Sequence, residues 1–140
     1  MVVEIPKFLN DKLISICEEG FPNEVCGVLI GKIINNNYKI STSMACKNLN
    51  EKRSTDRYVL NQKDYIKADK EARKQNLDII GIYHSHPNHP AIASDTDKRL
   101  AQERYIYLIY SIYKKKYTNL LGWILNEEED KMEGAKIEIL

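Results

Sequence analysis

Residues 83–97 read YHSHPNHPAIASDTD and hold every histidine of the chain: His84, His86 and His89. Asp95 and Asp97 close the stretch. Imidazole nitrogens and carboxylate oxygens are ligands for a divalent metal of the zinc class. An H-x-H pair on an extended segment presents both imidazoles on one side, because side chains alternate along a strand. Asp97 would lie one turn into a following helix, where its side chain leans back toward the helix start. His84, His86 and Asp97 could thus converge on one ion from a strand end and a helix start. Three protein ligands leave a fourth position for water, which is the arrangement of a catalytic zinc site and not of a structural one. Zinc so held lowers the pKa of water to about 7 and polarises a carbonyl. A general base would have to come from elsewhere in the chain.

Each piece also has a plainer reading. Ser94-x-x-Asp97 has the spacing of a capping box, with a shorter acid than usual, and by itself is a helix start. An H-x-H pair alone could be two surface histidines. His89, between Asn88 and Pro90, has no partner at a metal-ligand spacing and reads as a non-ligand. Asp95 reads as a first-turn acid favoured by the helix dipole, and becomes the third ligand only if the register shifts. The argument for metal is coincidence: every histidine falls after an apolar run and before a helix start.

The elements around this stretch follow from periodicity. Leu77 to Tyr83 (LDIIGIY) predicts a buried strand leading into the histidines, with Pro87 ending its ladder. Ser94 to Arg104 predicts a helix. Upstream, Ile5, Phe8, Leu9, Leu13, Ile16 and Cys17 trace one helical face, with Pro6 in the first turn and Gly20 and Pro22 at the end. Val25 to Ile34 and Tyr38 to Ala45 predict a hairpin about an Asn35-Asn36-Asn37 turn. Residues 47–57 read as a polar loop and Tyr58 to Leu60 as a short strand. Asn61 with Asp64 opens a second helix whose apolar face carries Tyr65, Ala68 and Ala72. Ile106 to Tyr113, Leu120 to Leu125 and Ala135 to Leu140 predict three further strands. Strands interleaved with helices give an α/β layered domain.

The bulk numbers limit the function. A chain of 140 residues, 43% hydrophobic and 29% charged, predicts one globular domain over residues 1–140. The net charge of +1 gives no global reason to expect nucleic acid or an anionic membrane as partner. Lys114-Lys115-Lys116 reads as a solvated turn. No run approaches the roughly 18–20 apolar residues of a membrane span, and Met1 to Lys12 lacks a signal peptide's layout, so the expected location is the cytoplasm. Cys17, Cys26 and Cys46 are odd in number and widely spaced, and predict buried free thiols, not a disulfide framework.

HSHP, six residues, then Ser94-x-x-Asp97 resembles the signature of the JAMM (MPN-plus) metalloproteases. The segments PNEVCGVLIGK, EARKQNLDIIGIYHSHPNHPAIASDTD and YLIYSI are similar to compact prokaryotic members, so the resemblance covers most of the chain. It implies that His84, His86 and Asp97 hold Zn2+. It implies that Glu24, in PNEVCGVLIGK, is the general base, and that Ser94 stabilises the oxyanion. Read alone, Glu24 is a surface acid between a loop and a strand. The implied fold is cytidine-deaminase-like: a curved mixed β-sheet flanked by helices. The implied reaction is cleavage of a peptide or isopeptide bond after the C-terminal diglycine of a ubiquitin-like sulfur-carrier protein or its conjugates. The chain is expected to act as a monomer or homodimer.

Three other functions compete. A metal-free MPN-type scaffold or binding module would usually have lost a ligand, and this chain keeps all of them. A zinc peptidase of cell-wall or other small peptides, or a phage tail component, fits less well, because the short, single-domain layout without a signal peptide's pattern argues against a secreted wall enzyme. A nucleotide deaminase would call for a C-x-x-C pair, and the sequence has none.

Overall fold

The computed structural model describes residues 1–50 and 58–140. The chain runs β1 (Val2–Ile5), α1 (Lys7–Gly20), β2 (Cys26–Ile34), β3 (Asn37–Cys46), α2 (Gln62–Lys74), β4 (Asp78–Pro87), α3 (Asp95–Leu100), β5 (Ile106–Tyr113), β6 (Lys116–Asn126) and β7 (Lys131–Ile139). The seven strands form one mixed sheet in the order β1-β3-β2-β4-β5-β6-β7. β1 pairs in parallel with both β3 and β7, so the sheet curls until it closes on itself. The expected mixed α/β architecture is present, with a strand at Val2–Ile5 that is not among those expected.

The strand faces divide the core in two. Leu9, Leu13 and Cys17 of α1 pack with Ile5, Leu29, Tyr38, Ile80, Tyr83, Ile106, Leu108 and Tyr110. The small residues Ala68 and Ala72 bring α2 close to the other face, over Cys26, Val28, Ile30, Cys46 and Ile79. Asn61 caps α2 by accepting hydrogen bonds from the Lys63 and Asp64 amides. The β2–β3 hairpin turns through Asn35 and Asn36 at φ 51° and 65°, left-handed values that suit a two-residue turn. Lys114 and Lys115 make the same kind of turn between β5 and β6.

Five expectations change. Ile5 belongs to β1 and not to α1, and Phe8 is 71% exposed. Pro6 stands at the N-cap, with extended backbone, because the chain must leave β1 before it can turn. β4 runs on to Pro87, which pairs with Ile112 of β5; the proline ring does not end this parallel ladder. The helix after Ser94 stops at Leu100, not Arg104, and none of its residues is buried, so no apolar face supports a longer helix. Tyr58 to Leu60 contributes one isolated bridge, Leu60 to Asn48, and no strand. Of the expected loop at 47–57, residues 51–57 lie outside the described residues. No described helix is long and apolar enough to cross a membrane.

Candidate metal centre

β4 delivers the two histidines. His84 and Cys26 are register partners, so their side chains share the face covered by α2, and alternation puts His86 there as well. His84 is fully buried and His86 is 9% exposed. Their ring centroids are 5.0 Å apart. Between them, Ser85 reaches back to the upstream segment. Its hydroxyl accepts from the Val25 amide at 2.9 Å, and its own amide donates to the Val25 carbonyl at 3.0 Å. This clamp fixes the residue next to Glu24. Glu24 is thereby buried, at 4% exposure, with Oε1 2.9 Å from His84 Nδ1. Among the described residues, Glu24, His84 and His86 offer donor atoms that all lie within 4.8 Å of one another.

Asp97 comes from the other direction. Ser94 caps α3: its hydroxyl accepts from the Asp97 amide at 3.0 Å, and its own amide donates to Asp97 Oδ2 at 2.8 Å. The reciprocal box aims the carboxylate back at the strand. Oδ1 lies 3.3 Å from His84 Nε2, and Oδ2 lies 3.2 Å from His86 Nε2. Each imidazole therefore points one nitrogen at one oxygen of the same carboxylate.

The other ring nitrogens settle which atoms could bind a cation. His86 Nδ1 lies 2.8 Å from the Pro90 carbonyl, an acceptor only, so Nδ1 carries a proton; in the neutral ring Nε2 presents its lone pair, and in the imidazolium it donates to Asp97 Oδ2. His84 Nδ1 faces Glu24 Oε1 and, at 3.4 Å, the Ser85 carbonyl, which assigns its proton in the same way. Among the described residues His84 Nε2 is buried without a hydrogen-bond partner; Asp97 Oδ1 is near it but not in hydrogen-bond geometry. A buried lone pair aimed at a carboxylate is repulsive unless a cation lies between. Two such imidazoles and a carboxylate suit a divalent metal of the zinc class.

The electrostatics agree. Burial opposes the Asp97 charge, but the His86 hydrogen bond, the nearby His84 and the Ser94 amide outweigh it and hold the carboxyl well below the usual range. Burial also opposes charge on His86, yet the bonds to Asp97 and to the Pro90 carbonyl raise its pKa. The site thus favours positive charge where the imidazoles meet the carboxylate.

Other residues take lesser places. His89 is exposed and stands outside the ligand group, on the wall of the cleft that Glu24, Tyr58, His86, Ser94, Asp97, Ile92 and Leu100 also line. Asp95 is exposed, in the first turn of α3 two residues before Asp97. Cys26 is buried, with Sγ 3.6 Å from the Cys46 carbonyl, and burial pushes its thiol up to about 12. Sequence reasoning missed Tyr58, whose ring lies 4.6 Å from that of His84. Burial, then the Asp97 charge, raise its phenol well above the ordinary value, so it stays a neutral O–H. It also missed Asn48, whose amide donates to the Glu24 carbonyl at 2.9 Å. No spacing rule reaches these residues, because each acts from a different segment.

The chain matches the description "Prokaryotic homologs of the JAB domain" over residues 6–126. A protein of Pyrococcus furiosus named desampylase is 32% identical over 117 residues, which are 83% of this chain and 76% of that one. The solution structure of a Desulfitobacterium hafniense protein is similar at TM-score 0.85 and 25% identity, covering 100% of this chain and 93% of that one. A second solution structure, from Salinibacter ruber, has TM-score 0.73 and 29% identity over 98% of this chain and 90% of that one.

Proposed function

This chain belongs to the family of prokaryotic JAB-domain homologs, and from that premise we propose that it is a zinc-dependent hydrolase acting on ubiquitin-like proteins. The bond cut is the peptide or isopeptide bond after the C-terminal diglycine of a sulfur-carrier protein or its conjugate. We take residues 1–140 as one catalytic domain with the curved, cytidine-deaminase-like sheet. The observation that carries the reading is the buried group of Glu24, His84 and His86 with Asp97 against both imidazoles. The relationship to a desampylase supports a ubiquitin-like substrate.

In this reading His84 and His86, through Nε2, and Asp97 hold Zn2+. Zinc, when bound, supplies Lewis acidity to the carbonyl being cut and to the attacking water. Glu24 takes the proton of that water during attack and returns it to the leaving amine. Its place on the cleft wall beside His86 and Ser94 supports this role. Ser94 donates to the carbonyl oxygen as it becomes anionic. Capping does not prevent this. The bond from the Asp97 amide uses a lone pair of Oγ and leaves the hydroxyl proton for the substrate. The glycines of the tail would let its backbone approach the ligands closely, and an extended tail could bind by adding a strand beside the site.

The test is mass spectrometry of a diglycine-ending carrier with a group attached through that terminus, incubated with zinc-loaded protein. Wild type should release the group. Glu24→Gln should keep zinc and lose activity by at least 100-fold, the lower end of what a general acid–base supplies. Contact between Glu24 and His84 offers a different outcome. If Glu24 only orients His84, the Gln variant should lose zinc affinity together with activity. Zinc-loaded wild type that cuts no such carrier would sink the substrate assignment.

A further inference from the structure

The six residues between Pro87, the last of β4, and Ser94, the cap of α3, contain no strand or helix. Nevertheless three consecutive carbonyls in this loop are all engaged by side chains. The His89 carbonyl accepts from the Ser111 hydroxyl. The Pro90 carbonyl holds His86 Nδ1 at 2.8 Å. The Ala91 carbonyl accepts from Trp123 Nε1 at 2.9 Å. Ser111 is 4% exposed and sits on β5 as the register partner of His86, so the two side chains share a face. Trp123 lies one strand further on, in β6, opposite Tyr107. Ala91, its acceptor, is 1% exposed.

We infer that Trp123 and Ser111 are positioning residues for the metal: by pinning the carbonyls on either side of Pro90, they aim the carbonyl that orients His86. The inference rests on His86 being a metal ligand. Its physics is local. Pro90 has φ fixed by its ring and no N–H of its own. The direction of its carbonyl therefore depends on ψ at Pro90, which is set by where the neighbouring peptide planes lie. Ser111 holds the plane before Pro90, and Trp123 holds the Ala91 carbonyl after it. With both held, Pro90 offers its oxygen at one place, the Nδ1–H of His86 points there, and Nε2 faces Asp97. Without them the loop has few restraints, and His86 can rotate or exchange tautomers. Besides the local bond from the His89 amide to the His86 carbonyl at 3.4 Å, the backbone supplies an anchor from the Asn88 amide to the Ile112 carbonyl at 2.7 Å. That bond lies on the strand side of the turn and does not define the Pro90 carbonyl.

The test uses the full chain. Trp123→Phe removes the indole N–H and keeps an aromatic ring, and Ser111→Ala removes only the hydroxyl. Leu120→Ala, on the same strand as Trp123 but without a bond to the loop, is the control for lost packing. Zinc affinity is read by competition with a chelating dye. The protonation pattern of His86 is read from its ring-nitrogen chemical shifts in metal-free protein. Both test variants should weaken zinc binding by about 10-fold or more, the range for partners that orient a ligand, and should blur the distinct Nδ1–H signature of His86. Leu120→Ala should lower stability and leave both readouts alone. Trp123→Phe and Ser111→Ala that bind zinc within twofold of wild type, with His86 unchanged, would overturn the inference while leaving the metal reading intact. Wild type that binds no zinc would overturn both. If Trp123→Phe does not fold, Ser111→Ala decides alone.

Discussion

Asp97 meets two imidazoles with one oxygen each, and its Oδ2 also accepts the Ser94 amide. In the proposed reading the same side chain therefore serves both the helix and the metal. Asp97→Asn separates the two duties. An amide keeps one oxygen for the Ser94 amide, but turns an NH2 group toward an imidazole and removes the negative charge. The expected result is a folded protein whose zinc affinity falls by more than about 10-fold, as a ligand loss should exceed the effect of losing an orienting partner. Equilibrium zinc binding with a circular-dichroism check of folding tests this, and unchanged affinity would remove Asp97 from the ligand set. Asp95→Asn is the matched comparison and should leave zinc binding alone, since Asp95 is exposed.

At the scale of elements, β4 carries more than the histidines. Tyr83, its residue before His84, is fully buried, and its hydroxyl has no hydrogen-bond partner among the described residues. The ring fits because Gly27 faces it from β2: a Cβ there would come within 2.4 Å of the ring. Tyr83→Phe removes an unsatisfied polar atom without changing the packing, so it should be neutral or stabilising by about 1 kcal/mol. Urea denaturation measures it, and a loss of more than about 1 kcal/mol would show that the hydroxyl has a partner. Gly27→Ala should cost more than Tyr83→Phe, because an added methyl must displace a ring held in the core. α3 is different: it contributes no residue to the core and stands on its cap, on Lys98 reaching Asp130 at 3.3 Å, and on the loop before it. The element that carries Asp97 is thus held by polar tethers and not by a core.

The whole molecule sets a pH window. Burial pushes the Cys17 thiol up to about 12 and the Cys46 thiol up to about 11. A pKa raised in the folded state favours the neutral thiol, so this contribution is complete below the ordinary thiol range and is lost as pH rises through about 9 to 12. Stability to urea should fall between pH 8 and pH 10.5, and less steeply in Cys17→Ala measured against its own value at pH 8. An equal slope in both would show that Cys17 does not contribute. The three free thiols should also resist alkylation in the native state at pH 8. What the sequence by itself determined was local chemistry. The H-x-H spacing, the Ser94 cap and the strand before them depend on side-chain alternation and on bonds within four residues, and each is readable along the chain. The hairpin at Asn35-Asn36 and the Asn61 cap are legible for the same reason. Only the tertiary structure decided that Glu24 reaches His84, that β1 closes the sheet, that α3 is short, and that Trp123 and Ser111 hold the loop beside His86. These depend on which strands lie side by side, and strand order is set by burial summed over the whole core, a quantity that no single stretch of residues carries.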